Sequence, residues 1–287
     1  MKTAWAATWR VTLFFLAWGV LAAPFFVVAK GQIESWNETN PVLMRLSGDS
    51  WAVLSLLLAT WLMTRFVDHQ PLRTAGVTIV GLPRHLAGGL AIGATWLALP
   101  LGFAWVAGWI APLDHGAFPL AAMPLAALAT IVNVVAQQLL LCGYIFAAIR
   151  TRAGLIAAVI VSSILFCAYH APAFQGHWLP ALNVVFAATL FCLAREISGG
   201  IWVPVGIHTA WNFLLGPVLG LTVSGTDELG EGWRAFQLNG PAWATGGEFG
   251  IEGSAPGTVT TLLLIVPLII ALKRRDTQAG VAPSGQA

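Results

Sequence analysis

From Gly116 to Ile149 the chain carries no charged residue, and two adjacent amides, Gln137 and Gln138, stand inside that stretch. A helix needs only about 20 apolar residues to cross a bilayer, so this run exceeds one upright crossing. Similar windows recur at residues 11–29, 47–66, 86–111, 120–149, 153–170, 179–195, 201–221 and 257–272. Charged residues make up 9% of the sequence, against about 25% in soluble domains. The expectation is an all-α polytopic membrane protein of about eight transmembrane helices.

The basic residues test that count. An even number of spans places both termini and alternate loops on one side, and that side receives Lys2, Arg10, Arg65, Arg73, Arg84, Arg150, Arg152, Arg195, Lys273, Arg274 and Arg275. The other side receives only Lys30, Arg45 and Arg234. The excess of positive charge marks the first side as cytoplasmic, in keeping with a bacterial inner membrane. Trp5, Trp9, Trp51, Trp178 and Trp202 fall near proposed span ends, as an interfacial belt would.

One membrane domain over residues 1–275 accounts for the apolar mass, with its core at about 120–272. The tail 276–287 lacks apolar mass and is expected to be disordered. The first apolar run superficially resembles a signal peptide near Ala22 and Ala23, but further spans follow, so it reads as the first transmembrane helix. Thr222 to Pro256 forms an acidic, glycine-rich, non-cytoplasmic loop with Asp227, Glu228, Glu231, Glu248 and Glu252 against Arg234. Cys142, Cys167 and Cys192 lie inside apolar segments without metal-knuckle spacing and read as packing residues. A net charge of +2, spread over short loops, excludes nucleic-acid binding. Membrane lipid and membrane-embedded partners are expected instead.

Three helices offer polar stripes. On the fourth, Asn133, Gln137 and Tyr144 share one face at spacings of four and seven, with Gln138 and Cys142 beside them. On the fifth, Ser163, Phe166, Cys167 and His170 form a stripe that Pro172 ends. On the seventh, His208 and Asn212 sit one turn apart. Such groups can serve as interhelical packing contacts worth about 0.6 kcal/mol each, which suits the serines and Asn133. His170 and His208 are ionisable groups within spans and so are functional candidates. His69, His85, His115 and His177 lie in loops or near span ends and read as surface residues.

Phe166-x-x-x-His170 and His208-x-x-x-Asn212 on separate late spans resemble the second and third motifs of the CPBP family, which comprises type II CAAX prenyl proteases and bacteriocin-processing peptidases. AREISGGIWVPVGIHTAWNF and TGGEFGIEGS resemble the surroundings of those motifs. The resemblance implies a CAAX-protease-like bundle and an intramembrane endopeptidase acting on a membrane-associated or lipid-modified peptide. It implies that the first-motif glutamate and the His170 position activate water, while the His208 and Asn212 positions stabilise the oxyanion.

The first motif of the family is Glu-Glu-x-x-x-Arg, and this chain reads Gln137-Gln138-Leu139-Leu140-Leu141-Cys142. Gln137 and Gln138 can hold a water or a carbonyl but cannot take a proton, and losing a general base costs roughly 10² to 10⁴ in rate. His170 would then act alone as base. The catalytic set expected is His170, His208, Asn212, Gln137 and Gln138, with Phe166, Tyr144 and Cys142 lining the substrate pocket. Glu248 and Glu252 look like additions to the site, not substitutes for the lost pair.

A Cys142 nucleophile paired with His170 or His208 is a further arrangement, as is a divalent metal such as zinc on the two histidines. No cofactor is otherwise implied. A non-catalytic member that binds peptide segments as scaffold, chaperone or immunity factor needs the pocket and not the base. Helical rise from the cytoplasmic ends places Gln137 at roughly 18 Å, His170 at roughly 25 Å and His208 at roughly 10 Å depth. A shared site therefore requires tilted or interrupted helices.

Overall fold

The computed structural model of the protein describes residues 2–39, 41–113, 120–226 and 236–281. It is an α-helical bundle of the polytopic membrane type. The long helices are α1 (Lys2–Thr39), α2 (Pro41–Leu62), α3 (Leu82–Val106), α4 (Met123–Cys142), α5 (Tyr144–His170), α6 (Trp178–Ser198), α7 (Trp202–Phe213) and α9 (Ala255–Val281), with a single turn α8 (Ala242–Thr245) before the last. Six apolar segments among the described residues are long enough to cross a membrane. One of these, Met123–Phe174, is the α4–α5 pair, and α7 is too short to count by itself. A two-stranded antiparallel ribbon pairs β1 (Ile110–Pro112) with β2 (Phe236–Leu238), a small departure from an all-helical layout.

Two breaks differ from the sequence expectation. The fourth helix ends at Cys142, not near Ile149, because the chain turns at Gly143, where a Cβ would stand 2.1 Å from the Leu139 carbonyl oxygen. Leu, Cys, Tyr and Ile are apolar on both sides of that turn, so hydropathy cannot register it. Inside α5, Gly154 adopts φ 89°, a left-handed value open to glycine, and divides a short piece beginning at Tyr144 from the longer piece ending at His170. α9 spans Ala255–Val281, longer at both ends than the apolar window 257–272.

The piece between the two breaks is tied down by charge. Asp68 Oδ1 accepts from Arg10 Nε at 2.7 Å and from Arg152 Nη2 at 2.6 Å, and its Oδ2 accepts from the Tyr144 hydroxyl at 2.7 Å. Arg150 donates to Glu196 on α6 at 3.0 and 2.8 Å. Arg195, 7% exposed, donates from Nε to the Cys142 carbonyl at 2.5 Å and lies over the Phe146 ring. That carbonyl is one of the oxygens a helix end leaves without an internal partner, and the guanidinium supplies one.

α7 is held against α3 by glycine. A Cβ on Gly89 would stand 2.3 Å from the Val203 carbonyl oxygen, and one on Gly93 would stand 2.3 Å from that of Ile207. Small residues let membrane helices bring their backbones together in this way. Both oxygens belong to α7, so α3 fixes the depth and rotation of the helix that carries His208.

Candidate intramembrane polar site

α4 and α7 meet through the amides singled out in the sequence. Gln138 is fully buried, and its Nε2 lies 3.1 Å from His208 Nδ1. Asn212 Nδ2 lies 3.2 Å from His208 Nε2, so the imidazole is held at both nitrogens. A neutral imidazole has one N–H and one lone pair. Only one of the two amides can then present its NH₂ group; the other turns its oxygen to the ring. The Phe191 ring stacks on His208 at 4.9 Å, and Phe166 meets its edge at 6.0 Å.

His170 comes to the same place from the end of α5. Its ring centroid is 4.5 Å from that of Phe166, and its Nδ1 lies 2.9 Å from the Phe166 carbonyl oxygen. A carbonyl can only accept, so Nδ1 carries the hydrogen. In the neutral ring the lone pair then resides on Nε2.

Two cavities share His170 as wall. One, of about 40 Å³, is lined by Trp96, Phe166, His170, Phe191, His208 and Glu252 among others. The other, of about 220 Å³, is lined by Arg45, Asn133, Gln137, His170, Asn212 and Ser224 among others. At about 30 Å³ per water, the larger has room for several. A third, more apolar cavity of about 80 Å³ lies between Trp18, Asp49, Leu56, Gln137 and Phe166.

The turn at Gly143 ends α4 five residues after Gln137, which brings Gln137 closer to the depth expected of His208, and the chain between α7 and α9 folds into the bundle. Ile251 and Ser254 are fully buried there, and Asn183 on α6 donates to the carbonyls of Glu252 and Ser254 at 2.7 and 2.8 Å. Glu252 lines the small cavity with both histidines. Its Oε1 accepts from Trp211 Nε1 at 2.6 Å, and its Oε2 accepts from the Ser224 hydroxyl at 2.8 Å and from the Ser224 backbone N–H.

Gln137, Gln138, His170, His208, Asn212 and Phe166 are thus brought together. Tyr144 is not: beyond the Gly143 turn it leaves the α4 face and bonds Asp68. Cys142 is buried beside Cys192, under Arg195, and lines none of the three cavities. Both therefore fall outside the pocket expected of them, and a Cys142–histidine pair has no geometric support. Ser163 bonds Thr189 at 3.3 Å as an interhelical contact. Among the described residues, no three His, Cys, Asp or Glu side chains gather closely enough to hold a metal ion.

His69 and His177 are exposed, as surface residues should be, and His85 is half-buried. His115, Asp227, Glu228, Glu231 and Arg234 lie outside the described residues. Glu252 is the site residue that sequence reasoning undervalues. Its signal is a carboxylate in TGGEFGIEGS, where Gly246 and Gly250 at φ 83° and 86° let the chain turn back into the bundle.

Residues 119–214 match the family model described as type II CAAX prenyl endopeptidase Rce1-like, a stretch that contains all five polar site residues from Gln137 to Asn212. Neither curated proteins nor solved structures give a significant match.

Proposed function

We propose a function on the premise that residues 119–214 carry the core of the Rce1-like, type II CAAX prenyl endopeptidase family. This integral membrane protein is an intramembrane peptide hydrolase, acting on a membrane-associated or lipid-modified peptide that enters the polar cavity between α4, α5 and α7. Both termini lie on the cytoplasmic side of a bacterial inner membrane. The observation that carries the reading is the Nδ1 contact of His170 with the Phe166 carbonyl. It leaves Nε2 as the basic nitrogen of a ring that lines both cavities.

In the reaction, water in the larger cavity gives a proton to His170 Nε2 as its oxygen bonds to the peptide carbonyl carbon. The carbonyl oxygen gains negative charge, which an N–H of Asn212, held in place by His208, stabilises. The carbon–nitrogen bond then breaks, and His170 returns the proton to the leaving nitrogen. Gln137 and Gln138 orient groups and take no proton.

A second reading follows from the same amides. Because neither glutamine is basic, the site also suits a protein that holds a peptide segment without cutting it. Purified protein in lipid nanodiscs, offered a library of membrane-anchored peptides, separates the two. Hydrolysis is expected from the native chain, with His170→Ala and His208→Ala each reducing it at least about 10²-fold. Peptide capture without hydrolysis by the native chain overturns the hydrolase reading and leaves the binder.

A further inference from the structure

The charged anchors of the bundle define one of its two faces. Asp68, just beyond α2, holds Arg10 of α1 and Arg152 of α5. Arg275 of α9 donates to the Ile197 carbonyl near the end of α6 at 3.3 Å. The start of α7 is tied into the same layer, because the Ile201 N–H donates to the Gly76 carbonyl and Trp202 Nε1 to that of Thr78. By chain order the opposite face holds the ends of α3, α5 and α7, the starts of α2, α4, α6 and α9, and the β1–β2 ribbon.

The 220 Å³ polar cavity belongs to that opposite face. Arg45 stands just over a turn into α2, His170 is the last residue of α5, and Asn212 lies at the end of α7. Ala173 and Thr226, in the chain beyond those helix ends, complete the rim, where Tyr169 and Pro172 are exposed. Gln137 is the deepest wall, about 21 Å along α4 from Met123 at 1.5 Å per residue.

The anchored face is shut beneath the site. Gln138, Leu139, Cys142, Ile145 and Phe146 are at most 1% exposed, as are Ile201 and Val205 where α7 begins. Arg195 closes this layer by donating to the Cys142 carbonyl. No residue of 142–164 or 195–207 lines any of the three cavities. A peptide crossing the layer would part α4 from α6 and α7 and carry its backbone N–H and C=O groups past apolar side chains, at several kcal/mol for each group left unpaired. From the rim, by contrast, it meets Arg45, His170 and Asn212 directly.

We infer that the site takes its peptide from the face opposite the one that carries Arg10, Asp68, Arg152 and Arg275. On the orientation and the hydrolase reading proposed above, on which this rests, that is the non-cytoplasmic side. The substrate is then a peptide segment displayed outside the cytoplasm at the membrane surface, and not the tail of a cytoplasmic protein. Because His170 ends its helix at the rim, the segment has to enter the bundle only a short way before its carbonyl meets the base.

Thiol labelling of full-length protein tests this, with a membrane-impermeant maleimide added to spheroplasts or to inverted membrane vesicles. The native chain, whose Cys142 and Cys192 are buried, sets the background. Asn212→Cys inside the cavity and Ala173→Cys on its rim are expected to react in spheroplasts and not in inverted vesicles. Thr74→Cys, exposed on the anchored face, is expected to do the reverse. Gln137→Cys carries the same expectation as Asn212→Cys should that variant fail to accumulate. A cavity cysteine that reacts from the Thr74→Cys side overturns the inference, and so does one that reacts from neither side while Ala173→Cys reacts. All three exchanging sides would overturn the orientation and with it the extracytoplasmic peptide. Labelling as expected in a chain that cleaves no peptide offered from either side overturns the hydrolase reading and leaves the entry face standing.

Discussion

Gly93→Ala is the sharpest test of how the bundle places its site. The added methyl carbon would meet the Ile207 carbonyl oxygen at 2.3 Å and the Ala210 Cβ at 2.9 Å. Ordinary carbon contacts begin about 1 Å farther out than the first of these, and the obstacle is helix backbone, which has no rotamer to change. α7 must move off α3 by about 1 Å, or α3 must bend. Inserting a methyl into packed structure costs about 1–3 kcal/mol, a fall in melting midpoint of roughly 2–10 °C. His208 follows Ile207 directly, so the same movement displaces it from Gln138 and Asn212. A 1 Å misplacement of a reacting group costs about 10² in rate. The control is on the same helix: a Cβ at Gly88 or Gly102 meets nothing within 4 Å, so alanine there should be neutral or slightly stabilising. Trp96 and Trp211, with ring centroids 3.9 Å apart across the α3–α7 contact, give a fluorescence report on the gap. Gly93→Ala matching Gly88→Ala in midpoint and Trp emission would show that α3 does not set the position of α7.

Two further substitutions probe the supports of the site. Arg195→Lys removes the planar fork that caps α4 at Cys142 and covers Phe146. A lysine cannot reproduce both contacts, and a loss of about 2–4 kcal/mol in stability is expected by denaturant titration; a change below about 0.5 kcal/mol would refute the capping role. Glu252→Ala leaves Trp211 Nε1 and the Ser224 donors without their acceptor. That should cost about 1–3 kcal/mol; Glu252→Gln keeps an oxygen for the Ser224 donors but sets its NH₂ against the Trp211 N–H, so its midpoint should fall between those of the native chain and Glu252→Ala, and a Glu252→Ala midpoint equal to the native one would show that the carboxylate is not what anchors the inward-folded chain.

What hydropathy can read is the helical character, because crossing a bilayer imposes long uncharged windows. It can also read which residues are brought together, because Gln138, His208 and Asn212 are polar where only packing or function tolerates polarity. It cannot read the turn at Gly143. The residues on either side are equally apolar, and the cause is a steric contact with Leu139 one turn back. Continuous helical spacing therefore assigns Tyr144 to the wrong face. Helical-rise arithmetic fails for a related reason. It counts Gln137 along one helix that continues to Ile149, while α4 ends at Cys142, and it takes no account of Glu252, which arrives on chain that folds inward between α7 and α9. The acidic, glycine-rich composition of that chain reads as a solvated loop, yet its glycines at positive φ are what allow it to turn back and bury Ile251 and Ser254.

Glutamine rather than glutamate at positions 137 and 138 follows a consistent charge logic in this bundle. Glu252 already places a carboxylate in the wall of the cavity that His170 and His208 share, Asp49 lines the neighbouring apolar cavity with Gln137, and Arg45 lines the larger polar cavity. Two like charges about 4 Å apart repel by about 4 kcal/mol even at an effective dielectric of 20, so two carboxylates at 137 and 138 would need counter-charge, and position 142, one turn along the same helix, is an uncharged cysteine. Glutamine has the shape of glutamate without that requirement. At Gln138 the exchange has a direct chemical consequence, because a carboxylate 3.1 Å from His208 Nδ1 would force the hydrogen onto that nitrogen. An amide leaves the tautomer to be set by the balance between Gln138 and Asn212. His170, by contrast, has its tautomer fixed by a backbone carbonyl that no side-chain substitution alters, and it is accordingly the ring on which the proton-accepting role can rest without help from the first motif.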